Sequence, residues 1–200
     1  MAAGVDTLNV VSSSVANCLV SNGQTFVGRY YRPAASSYYS SRLQNAEART
    51  ISNAGLYIIS IFQYNSRSAS YFTSSQAHAD GATAVNQAVA AGQPSGTAIY
   101  FTVDYDASAS DLSNSIIPYL NIVKTYTDSY GYQLGIYGGY RTTTTVGASI
   151  PGIYRWQTVA WSNGQNDSNR RLYQYVIDTP VCGGNFDKNE SNGNAGGWRL

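Results

Sequence analysis

Ala91-Gly92, followed by Ala98-Ile99-Tyr100-Phe101-Thr102-Val103, is one of four copies of a single grammar: a helical pattern, a glycine where the helix closes, then a short β-rich run. The others are Ser21-Asn22-Gly23 before Phe26-Val27-Gly28-Arg29-Tyr30-Tyr31, Asn53-Ala54-Gly55 before Tyr57-Ile58-Ile59-Ser60-Ile61-Phe62, and Tyr130-Gly131 before Gln133-Leu134-Gly135-Ile136-Tyr137. Glycine suits the end of a helix because the chain there enters left-handed backbone space. The four glycines are spaced by 32, 37 and 39 residues, which is the length of one strand plus one helix. Strands alternating with helices build parallel βα units.

The segments between these runs carry helical signals of their own. Val11, Val15, Cys18 and Leu19 draw one apolar stripe. A second helix is expected over about 41–54, a third over 75–91 behind a serine cap, a fourth from Pro118 to near Gly131, and a shorter one over 142–147. Five strands fall in the first 139 residues, counting Gly4–Thr7 as the first. Three more, at Trp156–Trp161, Leu172–Val176 and Asn185–Asp187, fit the remainder only if their connecting helices shrink. Eight units in 200 residues sit at the lower limit of a (β/α)8 barrel, with an open doubly wound sheet as the alternative. No linker divides the chain, so residues 1–200 read as one α/β domain, with Glu190–Gly197 as its tail.

Composition narrows the partners. Twelve Lys and Arg against 11 Asp and Glu leave a net charge of +1, which excludes an electrostatic polyanion binder such as a nucleic-acid protein. A hydrophobic fraction of 43% excludes a disordered chain. No run approaches the roughly 18 apolar residues of a membrane span. Met1-Ala2-Ala3-Gly4 has neither the basic nor the apolar region of a leader, so neither feature is expected, and the chain is read as a monomer. Tyrosine outnumbers phenylalanine 18 to 5, and neutral hydrogen-bonding residues fill the loops, a surface suited to sugars and to secretion. Cys18 and Cys182 allow one disulfide or two buried thiols. Two glycosylation sequons begin at Asn166 and Asn189, both in polar stretches expected to be exposed.

The chemistry concentrates at the end of the fourth strand. Alternation puts Ile99, Phe101, Val103 and Tyr105 on the helix-facing side and Tyr100, Thr102, Asp104 and Asp106 on the other, so both carboxylates are expected at the C-terminal mouth. Crowded, partly buried carboxylates have their pKa values raised and pushed apart, which separates an acid from a base; Asp104, the deeper, is expected to be raised. Other strand ends add Asp6, Arg29, Gln63, Tyr137, Trp161, Gln174 and Asp187 to the same rim. Competing chemistries lack their residues. His78 is the only histidine and reads as a surface residue, the two cysteines match no zinc spacing, and no phosphate-binding glycine loop follows a strand. Neither a metal nor a cofactor is expected. Carboxylate chemistry on an aromatic, weakly charged rim points to sugars.

Gly4-Val5-Asp6, Phe26-Val27-Gly28-Arg29-Tyr30, Ile61-Phe62-Gln63, Ile99 to Asp106, Gly135-Ile136-Tyr137-Gly138, Trp161-Ser162 and Phe186-Asp187-Lys188-Asn189-Glu190 together resemble a glycoside-hydrolase-like family first catalogued as a domain of unknown function. That family is similar to the glycoside hydrolase family 25 lysozymes, which cut the glycan of peptidoglycan on a TIM-like barrel. The resemblance implies such a barrel here, with Asp6 matching the lysozymes' first-strand Asp, Asp104 and Asp106 their D-x-E pair, and Asp187 their eighth-strand Asp. Asp106 departs from the pattern, because the lysozymes have their proton-donating Glu at that place. Aspartate is one methylene shorter and reaches a glycosidic oxygen only if the sugar sits deeper or a water intervenes.

The expected function is therefore a secreted glycoside hydrolase of a cell-wall or related polysaccharide. Asp106 would be the general acid, and Asp104 would orient a 2-acetamido group or stabilise an oxocarbenium-like state. The alternative is a carbohydrate-binding domain on the same barrel, its aromatic rim stacking on sugars without catalysis. On the barrel, Cys18 near the bottom of the first helix and Cys182 before a parallel eighth strand would meet at the N-terminal face. A disulfide is expected there, closing a loop of 164 positions and contributing about 4 to 5 kcal/mol.

Overall fold

A computed structural model describes residues 1–200. Eight strands close into a barrel in sequence order: β1 (Ala2–Asp6), β2 (Phe26–Tyr31), β3 (Tyr57–Phe62), β4 (Ala98–Thr102), β5 (Gln133–Gly138), β6 (Tyr154–Thr158), β7 (Leu172–Val181) and β8 (Gly184–Ser191). Helices α1 (Ser13–Ser21), α2 (Asn45–Asn53), α3 (Ser74–Ala91), α4 (Ala109–Asp111), α5 (Ile117–Ser129) and α6 (Tyr140–Ser149) fill the first five crossovers. The closed barrel excludes the open sheet.

Alternating side chains give the barrel two cores. Phe26, Ile59, Ile61, Tyr100, Trp156 and Leu172 fill its interior. Val27, Tyr31, Ile58, Ile99, Phe101 and Ile136 face outward and pack on the helices. Ser12 caps α1 by accepting from the Val15 amide, and α3 runs from its Thr73 cap to Gly92, whose φ of 87° makes the left-handed exit. The second helix is shorter than expected, because the serine-rich stretch before it turns as a 3-10 segment, Tyr39–Ser41. The fourth begins earlier, where Ser108 and Asp111 form a capping box. Pro118 falls in the first turn of α5, where a missing amide costs no helical bond, and a π-helical segment at Leu112–Ile116 precedes it.

The last third differs from eight repeated units. β1 to β7 are joined by parallel pairings, whereas β8 runs antiparallel to both β7 and β1. No helix links β6 to β7, and the two-residue turn Cys182-Gly183 links β7 to β8. Both turn residues have positive φ, 51° and 77°, the combination that matches the twist of a tight hairpin. The expected short helices are absent here because a hairpin needs no crossover.

Cys18 and Cys182 are joined, with Cα atoms 5.7 Å apart. The bond joins the two cysteines that the sequence reading paired, but the route differs. Because β8 is antiparallel, Cys182 follows the C-terminal end of β7 instead of preceding a parallel eighth strand at the N-terminal face. Register shifts between Gln174 and Thr179, and the positive φ of 57° at Asp178, bend the hairpin so that its tip reaches α1. Phe186 follows it into the outer core.

The tail is ordered. Trp198 exchanges backbone hydrogen bonds with Ile58 and donates its indole N–H to Ser60 at 2.9 Å, while Tyr100 donates to the Ala195 carbonyl at 2.9 Å. The tail thus occupies the gap below the first β3–β4 partners, Ser60 and Ile99. No helix is long and apolar enough to cross a membrane.

The loop closed by the disulfide is long, so its loss acts mainly on the unfolded chain. A Cys18→Ser/Cys182→Ser variant is expected to unfold in urea with about 2–5 kcal/mol less stability and an unchanged circular dichroism spectrum. Equal midpoints for the two proteins would refute this.

Candidate active site

β1, the segment after β4, and β8 each deliver one carboxylate to a pocket of about 380 Å3 at the barrel mouth: Asp6, Asp104 and Asp187. Asp6 and Asp187 are direct partners across the antiparallel β1–β8 ladder. Two carboxylates so placed repel, and the chain inserts the Gln174 amide between them. Its Nε2 donates to Asp6 Oδ2 at 2.9 Å and to Asp187 Oδ2 at 3.0 Å. Its Oε1 accepts from Tyr137 and Thr158, both at 2.8 Å. Hydroxyls on one side and carboxylates on the other fix which way the amide points.

Asp6 is buried and takes two further hydrogen bonds, from Tyr30 Oη at 2.7 Å and Asn189 Nδ2 at 2.8 Å. Trp156 on the interior floor donates to Asn189 Oδ1 at 2.9 Å, which fixes that amide in turn. Gly28 makes room, since a Cβ there would lie 2.6 Å from the Asp6 Cβ and 3.0 Å from Trp156. Burial, with the Asp187 charge second, raises Asp6 from 3.8 to about 6 despite its three donors. Burial also raises Asp187, opposed by the Asp178 amide that donates to its Oδ1 at 2.8 Å.

Asp104 follows β4 on the far side of the pocket. Gln63 Nε2 and Arg67 Nε each donate to its Oδ2 at 3.2 Å. Burial raises it, and the hydrogen bond and charge of Arg67 oppose the shift. This is the direction expected from the sequence.

Of the residues singled out from the sequence, Asp6, Asp104, Asp187, Gln63, Tyr137 and Gln174 line this pocket. Three do not. Regular alternation ends with β4 at Thr102, and Asp106 turns away, its side chain 54% exposed and 3.5 Å from Arg141. Arg29 faces the helical layer instead of the interior, fully buried and paired with Glu47 of α2 at 2.6 Å. Trp161 lies beyond the end of β6 at Thr158, in a loop at φ 57°, beside Gly139. The sequon at Asn189 is corrected as well: that side chain is wholly buried in the barrel, whereas Asn166 is exposed. His78 is on the surface as expected. Tyr30 and Asn189 were missed; strand alternation from Gly28 finds Tyr30, whereas Asn189 enters the barrel only because β8 runs antiparallel.

A closed barrel with acidic strand ends at its mouth defines a glycoside-hydrolase-like protein, and the comparisons agree. Residues 17–191 match the family described as Rv2525c-like, glycoside hydrolase-like domain, and the chain belongs to that family. It is 33% identical over 144 residues to the protein FadG of Bacillus subtilis, covering 70% of this chain and 25% of FadG. It is 30% identical over 158 residues to "Putative peptidoglycan hydrolase Rv2525c" of Mycobacterium tuberculosis, covering 76% and 64%. The chain thus spans about a quarter of the length of FadG. The crystal structure of the M. tuberculosis Tat-secreted protein Rv2525c in complex with L-tartrate superposes with a TM-score of 0.85 at 25% identity, covering 98% of each chain. A family 25 glycosyl hydrolase from Bacillus anthracis shares the fold, with a TM-score of 0.59 at 12% identity over 97% and 90% of the two chains.

The raised Asp6 has a thermodynamic consequence. Between pH 3.8 and about 6 the folded chain holds a proton that the unfolded chain has released, so stability falls as pH rises through that window. Asparagine can replace Asp6 with its Oδ1 accepting from Gln174 and Asn189 and its Nδ2 donating to the Tyr30 oxygen, whose own proton then turns to the pocket. Asp6→Asn is expected to gain on the wild type by on the order of 3 kcal/mol between pH 4 and pH 7.5 in urea unfolding. A difference that does not change with pH would contradict the raised carboxylate.

Proposed function

We propose that the chain is a secreted glycoside hydrolase that cuts a cell-wall glycan of the peptidoglycan class. The observation that carries this reading is the convergence of Asp6, Asp104 and Asp187 on one pocket, which Arg67, Asp178 and neutral hydrogen-bonding groups such as Tyr30, Gln174 and Asn185 also line. Glycosidic bonds break through a proton donor on one side of the sugar and a negative group facing an oxocarbenium-like centre. Asp104 is the donor in this reading. Burial favours its protonated form, and it stands apart from the Asp6–Asp187 pair. That pair, fixed by the Gln174 amide, faces the cationic centre. Asp106, which motif position alone would make the donor, lies outside the pocket and is given no proton-transfer role.

The relatives support the substrate class and the compartment. Rv2525c carries the peptidoglycan hydrolase name and is described as Tat-secreted, and muramidases are among the barrels of the same fold. The Cys18–Cys182 bond supports an oxidising compartment.

With purified peptidoglycan, Asp104→Asn is expected to lower the release of reducing ends by about a hundredfold or more, the scale of a lost general acid. Asp106→Asn is expected to stay within about threefold of the wild type. A reversal of these two results would return the donor role to Asp106. The position of Asp106 also favours the second reading, a carbohydrate-binding barrel. Wild-type protein that binds the glycan in calorimetry yet releases no ends over days would establish that reading instead.

A further inference from the structure

Beyond Asp104 the pocket continues into a second groove of about 380 Å3 across the loops that follow β2 and β3. Its walls carry two arginines. Arg32 is buried, 5% exposed, yet it makes no ion pair, whereas the fully buried Arg29 is neutralised by Glu47. The only hydrogen-bond acceptors its guanidinium meets are the two oxygens of Gln63, at 3.3 Å and 3.0 Å. Tyr30 and Tyr38 lie 4.9 Å and 5.3 Å from its guanidinium carbon. Arg67 is 80% exposed and is held only through Nε to Asp104, so its terminal nitrogens have no partner.

Holding Gln63 in place does not require a charge, since a neutral donor would serve. A guanidinium taken out of water without a carboxylate is costly, and buried charges are otherwise paired. Two guanidiniums share this groove with one carboxylate, Asp104, while Asp6 and Asp187 stand at the opposite end of the pocket. The cleft therefore has a cationic end and an acidic end.

We propose that the groove carrying Arg32 and Arg67 is a subsite for an acidic oxygen group on the substrate, the chemistry that a carboxylate and a phosphate share. The guanidinium fork matches either group through parallel N–H donors. The inference rests on the glycan reading above and deepens it. It selects acidic glycans over neutral ones such as chitin or glucan, and it fixes the end of the cleft at which the acidic group lies.

The test reads binding, so it stands apart from catalysis. Asp104 contacts Arg67, so the protein titrated is the unaltered chain, kept cold and checked for intact ligand afterwards. The probes are a muramic-acid-containing tetrasaccharide with free carboxylates, the same compound with its carboxyls amidated, an N-acetylglucosamine tetramer, and that tetramer carrying a 6-phosphate. The free carboxylate or the phosphate form is expected to bind about tenfold or more tighter than its neutral counterpart, the scale of a charge-assisted hydrogen bond. Which of the two gains identifies the source of the anion. The advantage is expected to shrink with added salt. In Arg32→Gln and Arg67→Gln the ratio of the affinities for the charged and neutral forms is expected to fall toward unity.

Equal affinity of the unaltered chain for charged and neutral forms, or no binding of either acidic form at millimolar concentration, overturns the proposal even if Arg32→Gln fails to fold. Charge discrimination without hydrolysis would remove the enzyme reading and keep this subsite. Hydrolysis without charge discrimination would do the reverse.

Discussion

The direction of β8 is the constraint on which both the closure and the site depend. A parallel eighth strand would need a crossover of a dozen residues or more; an antiparallel one needs the two-residue turn at Cys182-Gly183. The same reversal sets the chemistry. Antiparallel pairing puts Asp187 directly opposite Asp6, and Asn189 opposite Gln174 on the β7 side. The two amides and the two carboxylates are therefore consequences of one register, and a shift by a single residue would turn Asp187 and Asn189 out of the barrel together.

Such a register is costly in electrostatic terms, because two inward carboxylates share a low-dielectric interior. Neutral amides and hydroxyls offset the cost without cancelling it, and the pair stays poised near a protonation boundary. A cation in place of Gln174 would hold both carboxylates ionised and remove that poise. The contrast with Arg29 and Glu47 is instructive. There a full ion pair, with Arg29 also donating to the Thr7 and Ser41 carbonyls, anchors α2 and the loop after β1 to the outside of β2. One buried network fixes structure through opposite charges, and the other leaves charge available at the mouth.

Much of this was legible from alternation alone. Ile99 and Phe101 outside with Tyr100 and Thr102 inside hold as read, and Asp104 follows them to the pocket. The reading failed at Asp106 because period two is a property of a strand, and β4 ends at Thr102. It failed at Arg29 for the opposite reason: the pattern was available, since inward Phe26 and Tyr30 put Arg29 on the outer face, but a charged residue at a strand end was taken for a rim residue. The partner that makes its burial tolerable, Glu47, lies on the following helix, and no local pattern announces that pairing. The hairpin was hidden by Asp178 and Pro180, which break the strand signal of β7 where the bulges bend it. Asn189 was read as a surface sequon because its burial depends on the direction of β8.

The disulfide also determines how the molecule carries force. β1 and α1 lead from one end of the chain to Cys18, and Cys182 leads through β8 to the other end. A pull applied between the two ends passes from Cys18 to Cys182 through a covalent bond and bypasses everything between them. The strands β2 to β7, with most of both cores and the Asp104 side of the mouth, lie within that covalent loop and are loaded only through their contacts with β8 and the tail. Stretching would first draw the tail from β3 and β4 and then peel β8 from β1 and β7, separating Asp6 from Asp187.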